Sequence, residues 1–266
     1  MKKETIVNPE ISPKELRQLI RNREWTVPTS GAAKGYLQAN LVMLPREQAF
    51  NFLLFCVRNP KPCPILDVLE PGQTEPTIAS GADLRTDLPR YCIFEKGQLK
   101  EEVEDVSAVF NETMVCFLLG CSFSFENAML AAGLPVRNLE ENKNVSMYIT
   151  RIPCQPAGPF SSSLVVTMRP MTPDQAIRAV QVTTRFHLTH GAPVHIGSPE
   201  EIGIKNLNRP EFGDPVTTRD GEIAVFWACG VTSQLAATSI PLPLVITHAP
   251  GHMFVSDLHD EDLTVL

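Results

Sequence analysis

The stretch that most constrains this chain is the apolar run from Met114 to Leu119, followed at once by Gly120-Cys121-Ser122-Phe123-Ser124-Phe125-Glu126. An apolar run of strand length, ended by glycine and small hydroxyl or thiol residues, predicts a buried strand that breaks into a turn and restarts as a helix. A chain with such a corner must build a sheet and cover it with helices. The corner is also a place for chemistry. Free amides at a helix start can receive an anion, and small side chains let a ligand approach the backbone.

With 266 residues the chain can bury a substantial core, and two modest domains are favoured over one large one. An apolar fraction of 43% with 20% charged residues describes a globular protein and excludes a disordered one. A formal charge of -7 argues against a broad nucleic-acid or acidic-membrane footprint, because phosphate binding needs clustered cations. Isolated arginines can still clamp a small anion. The 7 cysteines are dispersed, with no Cys-x-x-Cys pair, so reduced thiols are expected. Met1-Lys2-Lys3-Glu4-Thr5 lacks the apolar segment of a secretory signal, and no run approaches the roughly 20 apolar residues of a membrane span. A cytoplasmic location follows as the expectation.

Ser12-Pro13-Lys14-Glu15 is a capping box that opens an amphipathic helix carrying Leu16, Leu19 and Ile20. Pro45 opens a second helix, with Ala49, Phe50, Leu53, Leu54 and Val57 as its apolar face. The glycine-bearing segment from Gly31 to Tyr36 between them reads as a loop. Strands are expected over Pro64 to Leu69, Tyr91 to Glu95, Leu99 to Val103 and Met114 to Leu119, the middle pair forming a hairpin across Lys96-Gly97. Glu126 to Ala132 is helical and stops at Gly133 and Pro135.

Beyond Val145 the pattern gives strands at Met147 to Ile152 and Leu164 to Arg169, then a helix capped at Thr172 that runs toward Leu188. A strand at Pro193 to Ile196 and a short helix capped at Ser198 follow. Strands at Ile223 to Ala228, Leu244 to Thr247 and Met253 to Val255 are expected to rejoin the first sheet. The resulting expectation is an α/β protein. Residues 1-144 and 222-266 would form a discontinuous main domain on a mixed sheet, and 145-221 an inserted, smaller two-layer α+β domain.

Four polar clusters adjoin these strands. In Asp83-Leu84-Arg85-Thr86-Asp87-Leu88-Pro89-Arg90, Arg85 and Arg90 suit carboxylate recognition through the planar guanidinium fork. Asp83 and Asp87 can hold an ammonium group or orient those arginines, although charged surface loops of this kind are common. The corner at Gly120 offers Cys121, Ser122 and Ser124 to an anion, with Glu126 as a candidate acid or base. Helix capping by Ser122 or Ser124 is the plainer alternative. No Gly-x-Ser-x-Gly elbow supports a serine nucleophile. Cys229-Gly230-Val231-Thr232-Ser233-Gln234 repeats the strand-to-small-residue turn, and two such ends side by side would line one crevice. Finally, His248 and His252 flank Pro250-Gly251, which argues against a helical zinc pair and leaves proton transfer as their candidate role. No metal site is expected. No Gly-x-x-x-x-Gly-Lys or Gly-x-Gly-x-x-Gly pattern occurs, so a cofactor-free reaction is the default.

Four blocks in order carry a resemblance: Gly-Tyr-Leu-Gln-Ala-Asn-Leu at 35 to 41, the segment 83 to 90, the corner at 120 to 126, and Thr-His-Ala-Pro-Gly-His-Met at 247 to 253. Together they resemble a bacterial hydro-lyase family whose homologous region also occurs in mitochondrial D-glutamate cyclase. The resemblance spans nearly the full length. It implies a two-domain α/β lyase acting on a small amino or hydroxy carboxylic acid, with cyclisation of D-glutamate to 5-oxo-D-proline as the specific expectation. It assigns no catalytic residues. On chemical grounds Arg85, Arg90, Asp83 and Thr232 are expected to hold substrate, with Cys121, Ser122 and Ser124 shaping an oxyanion site. His252, Asp87, Glu126 and His248 are the candidates for moving protons. The competing class is a non-catalytic protein that binds or senses small carboxylates. A homodimer is expected on base rate alone.

Overall fold

The computed structural model describes residues 9–264. The strand expected at Met114 is β5 (Met114–Gly120), and it lies against β1 (Tyr36–Pro45), which sequence periodicity does not announce. Along β5, Met114, Cys116 and Leu118 pack into one apolar layer, while Val115, Phe117 and Leu119 pack into another on the opposite face. On β1, Ala39, Leu41 and Met43 alternate in the same way with Val42 and Leu44. A sheet buried on both faces needs a cover on each. One cover is the irregular chain around Leu69, Ala79, Leu84, Leu88 and Val106. The other combines α2 (Arg46–Arg58) and α6 (Val231–Thr238).

The remaining strands of this seven-stranded sheet are β2 (Ile65–Val68), β3 (Tyr91–Glu95), β4 (Gln98–Val103), β10 (Val245–His248) and β11 (Phe254–His259). Their order is β2-β5-β1-β10-β3-β4, with β11 also paired to β1. The β3–β4 hairpin turns at Lys96 (φ 52) and Gly97 (φ 79), the left-handed pair that a two-residue hairpin demands. A second, four-stranded sheet runs β6 (Met147–Pro153), β7 (Ser163–Met171), β9 (Ile223–Ala228), β8 (His195–Ile196). Helices α3 (Phe123–Ala131) and α5 (Pro173–Thr184) bring Phe125, Met129, Ala176 and Ala179 to one of its faces, against Val225 and Trp227. Helix α1 (Pro13–Arg21) packs on β11, and a short α4 (Arg137–Glu140) follows α3.

The α/β class stands, with several corrections of detail. Each strand pairing among the described residues is antiparallel, where the sequence reading has a mixed sheet. Ile223–Ala228 joins the second sheet through six paired residues of β7, rather than rejoining the first. Only β10 and β11 return. The capping box at Thr172 is present, but α5 ends at Thr184 and a separate 3-10 turn, His187–Thr189, takes the chain past Leu188. Ser198 opens a 3-10 turn without a side-chain cap. On α2 the inward residues are Phe52, Phe55 and Cys56, whereas Phe50 and Val57 are 72% and 59% exposed. Apolar residues surround most of that helix, so periodicity could not select its buried face.

Candidate active site

Two strand-to-helix turns, one from each sheet, meet at the centre of the molecule. The Asn40 amide donates to the carbonyl of Gly120 at 2.7 Å, and it sits so close to Gly230 that a Cβ there would lie 2.1 Å from Asn40 Nδ2. Cys121 and Cys229 share one apolar cluster with Val165 and Val231. The juxtaposition expected for the two turns therefore exists, with Asn40 bonded to one turn and packed against the other. Burial pushes the Cys121 thiol far up and raises Cys229 to about 11, so neither carries a thiolate suited to nucleophilic attack.

Several candidates at this junction have structural work. The Thr232 hydroxyl accepts from Val165 N at 2.9 Å and donates to Cys229 O at 2.7 Å, which ties α6 to β7. Ser124 accepts from Gln38 N at 3.0 Å and thereby holds α3 to β1. Ser122 is buried at the start of α3 without making a cap bond. His248 is buried against Gln234, and its Nδ1 accepts from Leu41 N at 3.0 Å. Burial lowers His248 to about 3, so the ring stays neutral and weakly basic near neutral pH. Its contacts pin strand to helix.

The segment 83 to 90 also turns inward on itself. Asp87 is fully buried; its carboxylate takes Arg21 through both oxygens and accepts from Asp83 N at 2.9 Å. Arg17 lies 4.0 Å away. No lone pair is left pointing at solvent, and Asp87 reads as the anchor of α1. Arg85 is folded onto Asp83, with Nη2 at 2.7 Å from Oδ2. Arg90 faces Glu102 at 3.7 Å. His252, partly exposed and lowered by burial, feels both Arg90 and Glu102, while its Nδ1 lies 3.0 Å from Pro250 O. The structure thus brings His252 to Arg90 but sets neither against Glu126 through any described hydrogen bond or ion pair.

Glu126 is the candidate whose surroundings suit chemistry. It leaves α3 toward the second sheet and accepts from Arg169 Nη2 through Oε1. Its Oε2 receives the Ser30 hydroxyl at 3.3 Å. Arg169 is fully buried between the rings of Phe125 and Trp227, 5.4 and 5.5 Å from their centroids. Its Nε has no hydrogen-bond partner. Burial raises the Glu126 carboxyl from its ordinary value, against the pull of Arg169 and Ser30. The carboxyl lines a cavity of about 250 Å³, with Gly31, Lys34, Tyr36, Phe123 and Asn127 among its walls. The segment over this cavity is held by Thr29, whose N–H donates to Gly251 O at 2.9 Å and whose hydroxyl donates to Gln38 Oε1 at 2.8 Å.

A family model described as D-glutamate cyclase matches residues 115–257. A "Putative hydro-lyase" of Geobacillus kaustophilus is 58% identical over 96% of this chain and 98% of its own. Proteins of the same name from Syntrophobacter fumaroxidans and Stutzerimonas stutzeri are 58% and 56% identical, over 96% and 97% of this chain and 98% and 97% of theirs. The chain belongs to the D-glutamate cyclase family. A solved nitrogen repressor-like protein from Methanococcus jannaschii aligns over 90% of this chain and 96% of its own, at 9% identity and a TM-score of 0.38, too distant to inform the site.

The span matched by the D-glutamate cyclase model contains Glu126, Arg169 and both strand-end turns; Ser30 and Lys34 lie outside it. Sequence reasoning missed Arg169, Ser30, Lys34 and Asn127. Arg169 had a usable signal, because a lone cation ending the apolar run Leu164-Val165-Val166-Thr167-Met168 needs a buried anion as partner. The others sit in polar segments with nothing to distinguish them.

Proposed function

We propose that this family member cyclises D-glutamate to 5-oxo-D-proline with loss of water, and that Glu126 handles the proton of the departing oxygen. One observation supports this most: a buried carboxyl with a raised pKa, oriented by Arg169 and Ser30, forms a wall of a small cavity. The cavity's 250 Å³ is roughly eight times the ~30 Å³ share of one water, the scale of a small amino acid.

Ring closure joins the amine nitrogen to the γ-carboxyl carbon and breaks a carbon–oxygen bond, the oxygen leaving as water. Holding the chain folded removes much of the entropic barrier, because the attack is intramolecular. Glu126 in its neutral form protonates the γ-carboxylate, and Arg169 fixes its direction. Lys34, at the exposed rim of the same cavity, is placed to receive the α-carboxylate.

The test is interconversion of D-glutamate and 5-oxo-D-proline by purified protein. Glu126→Gln, which keeps shape and removes the titrating group, should lower kcat by ~10²–10⁴-fold. Wild-type kcat in the folded variant would dismiss Glu126 from this role. Thermal stabilisation by D-glutamate without product would instead favour a binding or sensing protein.

A further inference from the structure

A second carboxyl adjoins the same helix. Asp260 begins the 3-10 turn Asp260–Leu263 after β11 and is 5% exposed, yet its oxygens make no hydrogen bond of good geometry, only the weaker approach of the Ser124 and Asn127 side chains. It lines a cavity of about 550 Å³ with Ser124, Asn127, Ala128, Lys34 and His259. This cavity and the one at Glu126 share Glu10, Lys34 and Asn127 as walls, so the two spaces meet around α3. A carboxyl so weakly satisfied at such depth is uncommon and leaves room for a better donor.

We propose that Asp260 is the amine-receiving residue of the substrate track: its carboxylate accepts a hydrogen bond from the substrate's ammonium group and takes its proton. This rests on the cyclase reading above. The proton count closes with two carboxyls. Asp260, ionised, takes one proton from the ammonium group. The freed amine attacks the γ-carboxyl carbon as neutral Glu126 protonates an oxygen. Glu126 then recovers a proton from the nitrogen, and Asp260 returns its own to the departing hydroxyl, which leaves as water. Both groups end as they began.

The surroundings suit this role. Burial raises Asp260 to about 7, with Asn127 and Ser124 opposing and the neighbouring Glu261 adding to the rise. A base titrating near neutral pH is well matched to relieve an ammonium group of its proton. The charged groups lining the cavity are Lys34 and Glu10 from the chain before β1, and Glu261 and Asp262 from the turn itself; α3 contributes only the neutral Ser124 and Asn127. Asp262 is engaged by His259 N at 2.9 Å, and Glu261 lies 3.9 Å from Arg185. Asp260 is the buried acid of the group.

Calorimetric binding of D-glutamate and of glutarate, which lacks only the amine, tests the assignment. Wild-type protein should prefer D-glutamate by about tenfold or more at pH 8, the worth of one charge-assisted hydrogen bond, and the preference should shrink at pH 6. Asp260→Asn should bind glutarate as wild type does, lose the preference, and lose the limb of the turnover profile that rises through pH 7. An undiminished preference in folded Asp260→Asn would overturn the proposal. Should that variant fail to fold, a wild-type preference that is absent, or equal at pH 6 and 8, overturns it as well. Amine preference that depends on Asp260 but yields no product would keep the binding role and defeat the cyclase reading. Equal affinities with turnover intact would do the reverse.

Discussion

Burial gives opposite outcomes to two residues that look equally promising in the sequence. His248 and Glu126 are both enclosed, but enclosure drives each toward its neutral form, and neutrality differs in use. A neutral imidazole lowered to about 3 accepts a backbone N–H and little else. A carboxyl shifted toward its neutral form is, on the function proposed above, an acid in reserve. The glycine of the corner is as exacting as either. A Cβ on Gly120 would lie 1.8 Å from the carbonyl oxygen of Leu188, a backbone atom with no freedom to swing aside. Gly120→Ala should therefore displace the turn that Asn40 holds, and cost roughly 2–4 kcal/mol in denaturant unfolding. At Gly230 the obstacle is the buried Asn40 amide, so Gly230→Ala should break its bond to Gly120 O and cost a comparable amount.

Among the elements, α1 is joined to the candidate segment 83 to 90 through Asp87. Its Arg21 and Arg17 reach Asp87, and Arg17 continues to Val255 O and Asp257, both at 2.8 Å. Asp87→Ala takes the partner from half-exposed Arg21 and removes an anion 4.0 Å from buried Arg17, which keeps Val255 O and Asp257; it should lower stability by about 1–3 kcal/mol while kcat of the folded fraction stays near wild type, and a matching loss of kcat would return Asp87 to the site. Elements with local grammar were legible in the sequence: the Lys96-Gly97 hairpin, the capped starts of α1 and α5, and the apolar strand β5. β1 was not. Buried on both faces, it carries Gln38 and Asn40 in its middle, and their partners Thr29, Ala32 and Gly120 are known only once the chain is folded. The destination of β9 was hidden for the same reason, since pairing register is decided between strands rather than within one. Of the site, Glu126 could be nominated from its place after the corner, but Arg169 enters from 43 residues away.

Across the whole molecule, buried titrating groups pull stability in opposite directions as pH falls. His190 and His248 are held below their ordinary value, at about 4 and about 3, by burial. Their contribution is present above the unfolded histidine value near 6.5, and it drains away as pH drops toward those folded values. Asp260 runs the other way. Raised from 3.8 to about 7, it destabilises the native state when ionised, and that penalty is relieved as pH falls from 7 toward 4. The two effects overlap between about pH 4 and 6.5, where Asp260 offsets one of the two histidine losses and wild-type stability still falls with acid. Asp260→Asn removes the compensating group. The variant should exceed wild type by about 1–3 kcal/mol at pH 8, lose that advantage by pH 5, and fall more steeply with acid. Urea midpoints at pH 5, 6.5 and 8 measure this, and parallel curves for the two proteins would show that Asp260 does not titrate in this window.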